Sequence, residues 1–329
     1  MLRKNAYLNP KLFDEDIEQV PSRNGYGEGL VLAGQENPNV VALCADLTES
    51  TRTQSFKDKF PERFVEMGVA EQNLATVASG MAAMGKIPFI TSYAMFSPGR
   101  NWEQIRTTIC YNNQPVKIIG SHAGISVGPD GATHQALEDM AITRALPNMV
   151  VIAPADTIEA RKATLAVAHH SQPCYIRLSR EKVPVITTEQ TPFEIGKAYV
   201  YFEGKDVAVI ACGQMVYRAL QAAKELEKHK VSVRVINCPT IKPLDKDTII
   251  KAAEDCGAIV TVEEHRIHGG LGSAVAEVVS QNYPVPMKII GVEDRFGESG
   301  EPNELLEKFG LTHEDIIKGV THVLKMKGK

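Results

Sequence analysis

The chain has no CxxC pair. Its six cysteines, Cys44, Cys110, Cys174, Cys212, Cys238 and Cys256, are scattered, most of them within apolar, strand-like runs. That placement argues against a zinc ribbon or a dithiol redox motif and predicts buried, reduced thiols. There is no long basic run and no alternation of basic with aromatic residues, and 36 Lys and Arg against 40 Asp and Glu leave a net charge of -4. A nucleic-acid partner is therefore not expected. No apolar run reaches membrane length, and the opening MLRKNAYLNPKLFDEDIEQV lacks the apolar core and small-residue cleavage site of a secretory leader. The expected location is the cytoplasm. No complete GxGxxG or P-loop pattern occurs; HGGLGSAVAEVV comes nearest and reads as a plain glycine turn.

What is present is a globular composition at a length of 329 residues, which suits two domains. Apolar β-branched runs (VVALCAD, IPFITSYAMF, VKIIGSHAG, MVVIAPAD, CYIRLSR) alternate with amphipathic helical stretches, the pattern of a parallel α/β sheet. Asp156 and Glu159 have capping-box spacing ahead of one such helix. After Arg180 the pattern breaks into turn signals and prolines with no long helix, which reads as a connector. A second α/β unit follows, from DVAVIACG through MKIIGVED to two closing helices. The expected architecture is α/β, two three-layer α/β/α domains. Residues 1–20 form an N-terminal extension, 21–185 the first domain, 186–205 a linker and 206–329 the second domain.

The densest chemical signal is FVEMGVAEQN, in which Glu71 opens the Ala- and Gly-rich stretch LATVASGMAAMG. A glutamate in a first helical turn is ordinarily explained by the helix dipole. Here Ala75, Ala78, Ser79 and Ala82 recur at helical spacing, which lets a backbone or a flat ring approach that face closely. A desolvated carboxyl group at such a mouth can share a proton with a weakly basic ring nitrogen. A second concentration lies in Ser121–Gln135, a long glycine-rich loop after a strand, where ligands of such sheets bind. His122, Asp130 and His134 converge there, with Gly131 relaxing the backbone. Each residue also has a structural reading: His122 as a satisfied residue after a strand, Tyr93 and Phe96 as core, and Arg23 and Arg180 as surface ion pairs.

GVAEQN, TSYAMF, SHAG and DGATHQ together resemble the pyrimidine-binding half of a transketolase, and the likeness covers nearly the whole chain. The fold it implies is a thiamine-diphosphate-binding pyrimidine domain followed by a transketolase C-terminal-like domain. In that family the residue matching Glu71 hydrogen-bonds the pyrimidine ring of thiamine diphosphate, and aromatic residues matching Tyr93 and Phe96 flank the ring. Asp46 matches a residue near the cofactor. The residue matching Asp130 contacts a ketose hydroxyl, the one matching His134 lies near the reacting carbonyl, and the one matching His122 reaches the sugar phosphate. Arg23, Ser50 and Arg180 match positions that hold that phosphate, with Arg177 a decoy beside Arg180. The implied catalytic residues are Glu71, His122 and His134. The implied reaction moves a two-carbon ketol unit from a ketose phosphate to an aldose phosphate. The family's C-terminal domain lies away from the chemistry and supports assembly. One departure stands out: many transketolases carry a further aromatic where this chain has Gly99 in SPGRNW, with Trp102 the nearest substitute.

The family's diphosphate and Mg²⁺ site carries a GDG motif, and no GDG occurs here. The expectation is a C-terminal subunit of a split transketolase, whose partner is an N-terminal subunit holding diphosphate and Mg²⁺, with self-association into an α2β2 assembly. Relatives sharing the fold and the glutamate are 1-deoxyxylulose-5-phosphate synthase and the beta subunits of 2-oxo acid dehydrogenases. The former typically has an Asp-Arg pair where this chain reads SHAG, and the latter generally lack DGxTHQ. A non-catalytic assembly or regulatory protein on the same scaffold is the alternative of another class.

Overall fold

The computed structural model of the protein describes residues 1–328; Lys329, the last residue of the expected second domain, lies outside them. The first large sheet has seven strands in the spatial order β12-β6-β7-β5-β4-β2-β3. Its members are β2 (Val40–Cys44), β3 (Phe64–Glu66), β4 (Ile87–Tyr93), β5 (Lys117–Ser121), β6 (Val150–Ile152), β7 (Cys174–Arg177) and β12 (Thr240–Lys242). All neighbours run parallel except β12, which lies antiparallel on β6. The central runs read as unbroken apolar stretches because helices cover both faces, and every residue of β2, β5 and β7 is buried. A short antiparallel ribbon of β1 (Gln19–Pro21) and β8 (Lys182–Pro184) ties the entry of the first domain to its exit.

The second sheet has the order β14-β13-β10-β11-β9, built from β9 (Tyr199–Phe202), β10 (Val207–Ala211), β11 (Val233–Asn237), β13 (Ile259–Arg266) and β14 (Met287–Val292). It is parallel apart from the edge strand β9. The segment 186–205 is therefore not only a linker. Tyr199–Phe202 is β-prone and its Tyr201 is fully buried, so the stretch pairs with β11 despite the prolines and turn residues before it. The division at 206 is also crossed, because Thr240–Lys242 completes the edge of the first sheet. One apolar cluster runs from Leu43, Leu74 and Ile118 through Ile210 and Ile236 to Val275, so the two units share a core face.

Two sequence readings are refined at the junction. Asp156 caps the Thr157–Ala168 helix by accepting the Glu159 amide at 2.9 Å, but the Glu159 carboxyl reaches the amide of Ala155, so the box stays half closed. Burial, then the nearby Asp156, pushes the Glu159 carboxyl up to about 8. Asn237 of the second domain donates to it at 2.7 Å. The HGGLGS turn holds no anion site of its own, because Glu263 places its carboxylate on the amides of Leu271 and Gly272 at 2.7 Å each. All six cysteines are buried and free; burial raises their thiols, Cys174 to about 11.

Candidate active site

The chain leaves β2 for the outer strand β3 and returns with β4 on the other side of β2, which opens a crevice at the carboxyl ends of β2 and β4. Ser50 follows β2, Glu71 follows β3, Phe96 follows β4, His122 to His134 follow β5, and Arg180 follows β7. Arg23 joins them through the β1–β8 ribbon, where the Ser22 hydroxyl accepts the Ser179 amide at 2.8 Å.

Glu71 begins the Glu71–Ala83 helix with its side chain almost wholly buried (2 % exposed) and the small-residue face packed inward. Arg100 donates from Nη1 to Glu71 Oε2 at 2.7 Å while its guanidinium lies 4.7 Å from the centre of the Phe96 ring. Asn101 donates to the Glu71 carbonyl at 3.0 Å, and its own Oδ1 is buried without a partner. Gly99 is dictated by the backbone: a β-carbon there would sit 2.0 Å from the Met95 carbonyl oxygen. Trp102 does not replace the missing ring, because its indole points inward and donates to the Ile142 carbonyl at 2.8 Å.

Beyond Phe96 the rings continue. Tyr93 stacks on His122 with centroids 3.9 Å apart, and His134 meets Phe96 edge-on at 5.3 Å. His122 adopts a left-handed backbone, φ 55°, which turns its ring back into the crevice. Arg23 Nη1 donates to His122 Nε2 and to the Ser50 carbonyl, each at 2.9 Å. A guanidinium cannot accept, so the His122 proton sits on Nδ1 and is given to the Ser121 hydroxyl at 2.9 Å. Burial, followed by Arg23, Arg180 and Arg52, drives the His122 imidazole down to about 3, leaving it neutral beside three cations. Burial and Arg52 also hold the Arg23 guanidinium below its ordinary range, and its Nε is buried with no partner. Arg180 donates to the Val127 carbonyl and lies 3.7 Å from the Asp130 carboxylate.

The contacts thus join Glu71, Phe96, Tyr93, His134, His122, Arg23 and Ser50, with Arg180 and Asp130 meeting at the glycine loop. Asp46 is not among them. It is exposed in a left-handed turn, φ 58°, and it is its amide that is held, by Glu66 at 2.7 Å. Arg177, the decoy beside Arg180, points into the interior, its Nε 3.0 Å from Asp139 Oδ2 and its Nη2 on the Glu264 carbonyl. Sequence reasoning passed over Arg100, though it adjoins the noted Gly99, and Arg52, which has no motif signal. It also set the second domain apart from the chemistry. In the structure Glu264 and Gln214 of that domain bond Ser126, and the Glu298 carbonyl accepts from Gln135.

The residues present suit the pyrimidine end of a thiamine cofactor. They supply a buried carboxylate, ring walls at Tyr93 and Phe96, a small-residue helix face and an unpaired buried amide oxygen at Asn101. The cationic end suits a phosphate. Among the described residues no helix is long and apolar enough to cross a membrane.

Two family models match the chain: the transketolase pyrimidine binding domain over residues 18–185 and the transketolase C-terminal domain over 196–316. A putative transketolase C-terminal section of Methanocaldococcus jannaschii is 45% identical, covering 92% of this chain and 96% of that protein. A 6-deoxy-6-sulfo-D-fructose transketolase subunit of Clostridium sp. is 39% identical, over 96% of this chain and 98% of its own length. A split-gene transketolase solved as an inactive beta4 tetramer superposes with a TM-score of 0.88 at 48% identity, covering 93% of this chain and 99% of that one.

Proposed function

The chain belongs to the transketolase family, and we propose that it is the pyrimidine-binding subunit of a split transketolase, active with a separate subunit that holds the cofactor diphosphate and its Mg²⁺. Thiamine diphosphate, when bound, supplies the carbanion chemistry that moves a two-carbon ketol unit from a ketose phosphate to an aldose phosphate. Glu71 would share a proton with the pyrimidine ring nitrogen, and Tyr93 and Phe96 would confine the ring. Arg23, Arg180 and the Ser50 hydroxyl would receive the substrate phosphate, and His122 would reach it once its proton moves to Nε2 and the Arg23 contact is released. Asp130 would hydrogen-bond a ketose hydroxyl and His134 would lie against the reacting carbonyl. Asp46 would act only through the loop that leads to Glu71. Assigning diphosphate and Mg²⁺ to a partner is supported by the relatives that this chain spans over 96% and 98% of their length, which are described as a C-terminal section and a subunit. The exposed Val69, Val77 and Met84, on and beside the Glu71 helix, support a protein contact there and an α2β2 assembly.

The observation that carries this reading is the run of contacts from a buried carboxylate, past stacked rings, to a cluster of cations around a neutral histidine. Glu71→Gln and Glu71→Ala in the reconstituted complex test it. Two-carbon transfer should fall at least about 100-fold with the assembly intact, the scale of a lost acid–base group. Near-normal turnover in both would refute the assignment of Glu71.

A further inference from the structure

We propose that the second domain is part of the substrate site: Gly297–Ser299, together with Glu264, clamps the loop bearing Asp130 and His134 and so sets recognition of the sugar. The inference rests on the split-transketolase reading, which supplies the roles of Asp130 and His134.

The loop is rich in backbone that favours glycine. Gly124, Gly128 and Gly131 all have positive φ (90°, 80° and 73°); Ala123 is tied to Leu178 at 3.1 Å and Gly124 to Ala136 at 2.9 Å, but beyond them the backbone makes local turns, such as Gly131 to Gly128 at 3.1 Å and His134 to Gly131 at 3.0 Å. Further anchors come from Gln135 and from the second domain. Gln135, 3 % exposed and next to His134, donates its amide to Ile125 at 3.1 Å, to Gly128 at 3.2 Å and, across the domain boundary, to the Glu298 carbonyl at 2.9 Å. The fit at that crossing leaves no slack, since a β-carbon on Gly297 would lie 1.8 Å from Gln135 Oε1. A β-carbon on Gly131 would lie 2.6 Å from the Ser299 hydroxyl, and one on Gly128 would lie 3.1 Å from the Pro302 ring. At the start of the loop Glu264 accepts the Ser126 amide at 2.7 Å and is braced by Gln214. From the first domain Arg180 reaches over to Val127 and Asp130, Arg23 holds His122, and the Phe96 ring meets His134.

Second-domain groups therefore meet this loop at Ser126, Gly128, Gly131 and Gln135, on either side of Asp130 and directly beside His134. A displacement of about 1 Å at a positioning residue can cost about 100-fold in rate, so the clamp has the leverage to govern sugar binding. Gly297, Glu298, Ser299 and Glu264 are positioning residues on this account, because they act through the loop and not on the sugar.

The test compares Gly297→Ala and Ser299→Ala with wild type in the reconstituted complex. The readouts are hydrogen exchange of residues 124–135, thiamine diphosphate affinity, and KM and kcat for a ketose phosphate. Gly297→Ala should raise exchange across the loop and raise the ketose KM about tenfold or more, with cofactor affinity within twofold of wild type. Ser299→Ala should move the same quantities less. Unchanged exchange in both variants overturns the clamp, and raised exchange with an unchanged KM overturns its role in recognition. If Gly297→Ala does not fold, Ser299→Ala with Gln135→Asn decides the matter, since both shorten a contact without adding bulk. A wild-type complex with no transfer activity sinks the functional reading, while exchange in the variants still decides whether the second domain holds the loop.

Discussion

Arg100 Nη1 lies 2.7 Å from Glu71 Oε2, so a half-exposed guanidinium covers the carboxylate that the pyrimidine ring would need. The two groups are unequally placed: the Glu71 side chain is 2 % exposed and that of Arg100 is 48 % exposed. Glu71 sits in the first turn of its helix, whereas the Arg100 guanidinium lies half-exposed over the Phe96 ring. In the structure Arg100 pairs with this buried carboxylate, and on the proposed function a ring nitrogen arriving at Glu71 would take over that role.

A melting experiment follows from this exchange of partners. Arg100→Met should destabilise the cofactor-free complex by about 1 to 3 kcal/mol, because a buried acceptor loses a charged hydrogen bond. Added thiamine diphosphate should then raise the melting temperature of the variant more than that of wild type, since the ring nitrogen restores a partner only the variant lacks. Equal shifts in both proteins would contradict the displacement of Arg100.

At position 99 the backbone decides what fits. Gly99→Ala places a methyl 2.0 Å from the Met95 carbonyl oxygen, and that backbone atom cannot step aside cheaply. A loss of about 1 to 3 kcal/mol is expected, and Gly99→Tyr should be no better despite restoring a ring. Denaturant melts of the isolated chain measure both, and a stability equal to wild type would contradict the account.

The pH dependence of stability carries a signature of His122. Its imidazole is held near 3 in the fold against 6.5 when free, chiefly by burial and then by Arg23. Above about pH 6.5 the ring is neutral in both states and pH has no effect through it. As pH falls below that value the unfolded chain takes up the proton and the folded chain does not, so stability drops down to about pH 3. His122→Asn should remove that part of the slope. Glu159, held near 8, works in the opposite sense over part of the window, since its stability contribution is greatest at low pH and fades as pH rises from about 4.5 to 8. The informative quantity is thus the difference between wild type and variant, and a difference that does not change with pH between 6.5 and 3 would contradict it.

Arg23 and Arg180 should discriminate phosphorylated from plain sugars. A charge-assisted hydrogen bond is worth about 1.5 to 3 kcal/mol, so Arg23→Gln or Arg180→Gln should raise KM for a ketose phosphate about 10-fold to 150-fold. The same variants should leave turnover of the unphosphorylated ketose nearly unchanged. An equal effect on both substrates would place the arginines elsewhere than at the phosphate.

Much of the fold was legible because its strands are fully covered. Runs such as VVALC and CYIR have no alternation to confuse them, and the small residues after Glu71 mark the helix that buries them. β9 was hidden by prolines and turn residues, and β12 by belonging in space to the other domain's sheet. Glu71, Tyr93, Phe96, His122, His134, Arg23 and Ser50 were legible as a group and the fold joins them. Asp46 followed the motif but faces outward. Arg100 was not legible, since its pairing with Glu71 spans 29 positions and depends on how the segments after β3 and β4, on either side of β2, meet. The bond from Gln135 to Glu298 spans 163 positions and joins two domains, and no local pattern signals it.

The most direct test of the central claim is two-carbon transfer from a ketose phosphate to an aldose phosphate, with thiamine diphosphate and Mg²⁺ present. It is measured first on this chain alone and then with a subunit carrying the GDG motif. The account predicts transfer in the mixture and none from the chain by itself. Transfer by the chain alone would contradict the assignment of the diphosphate and metal site to a partner.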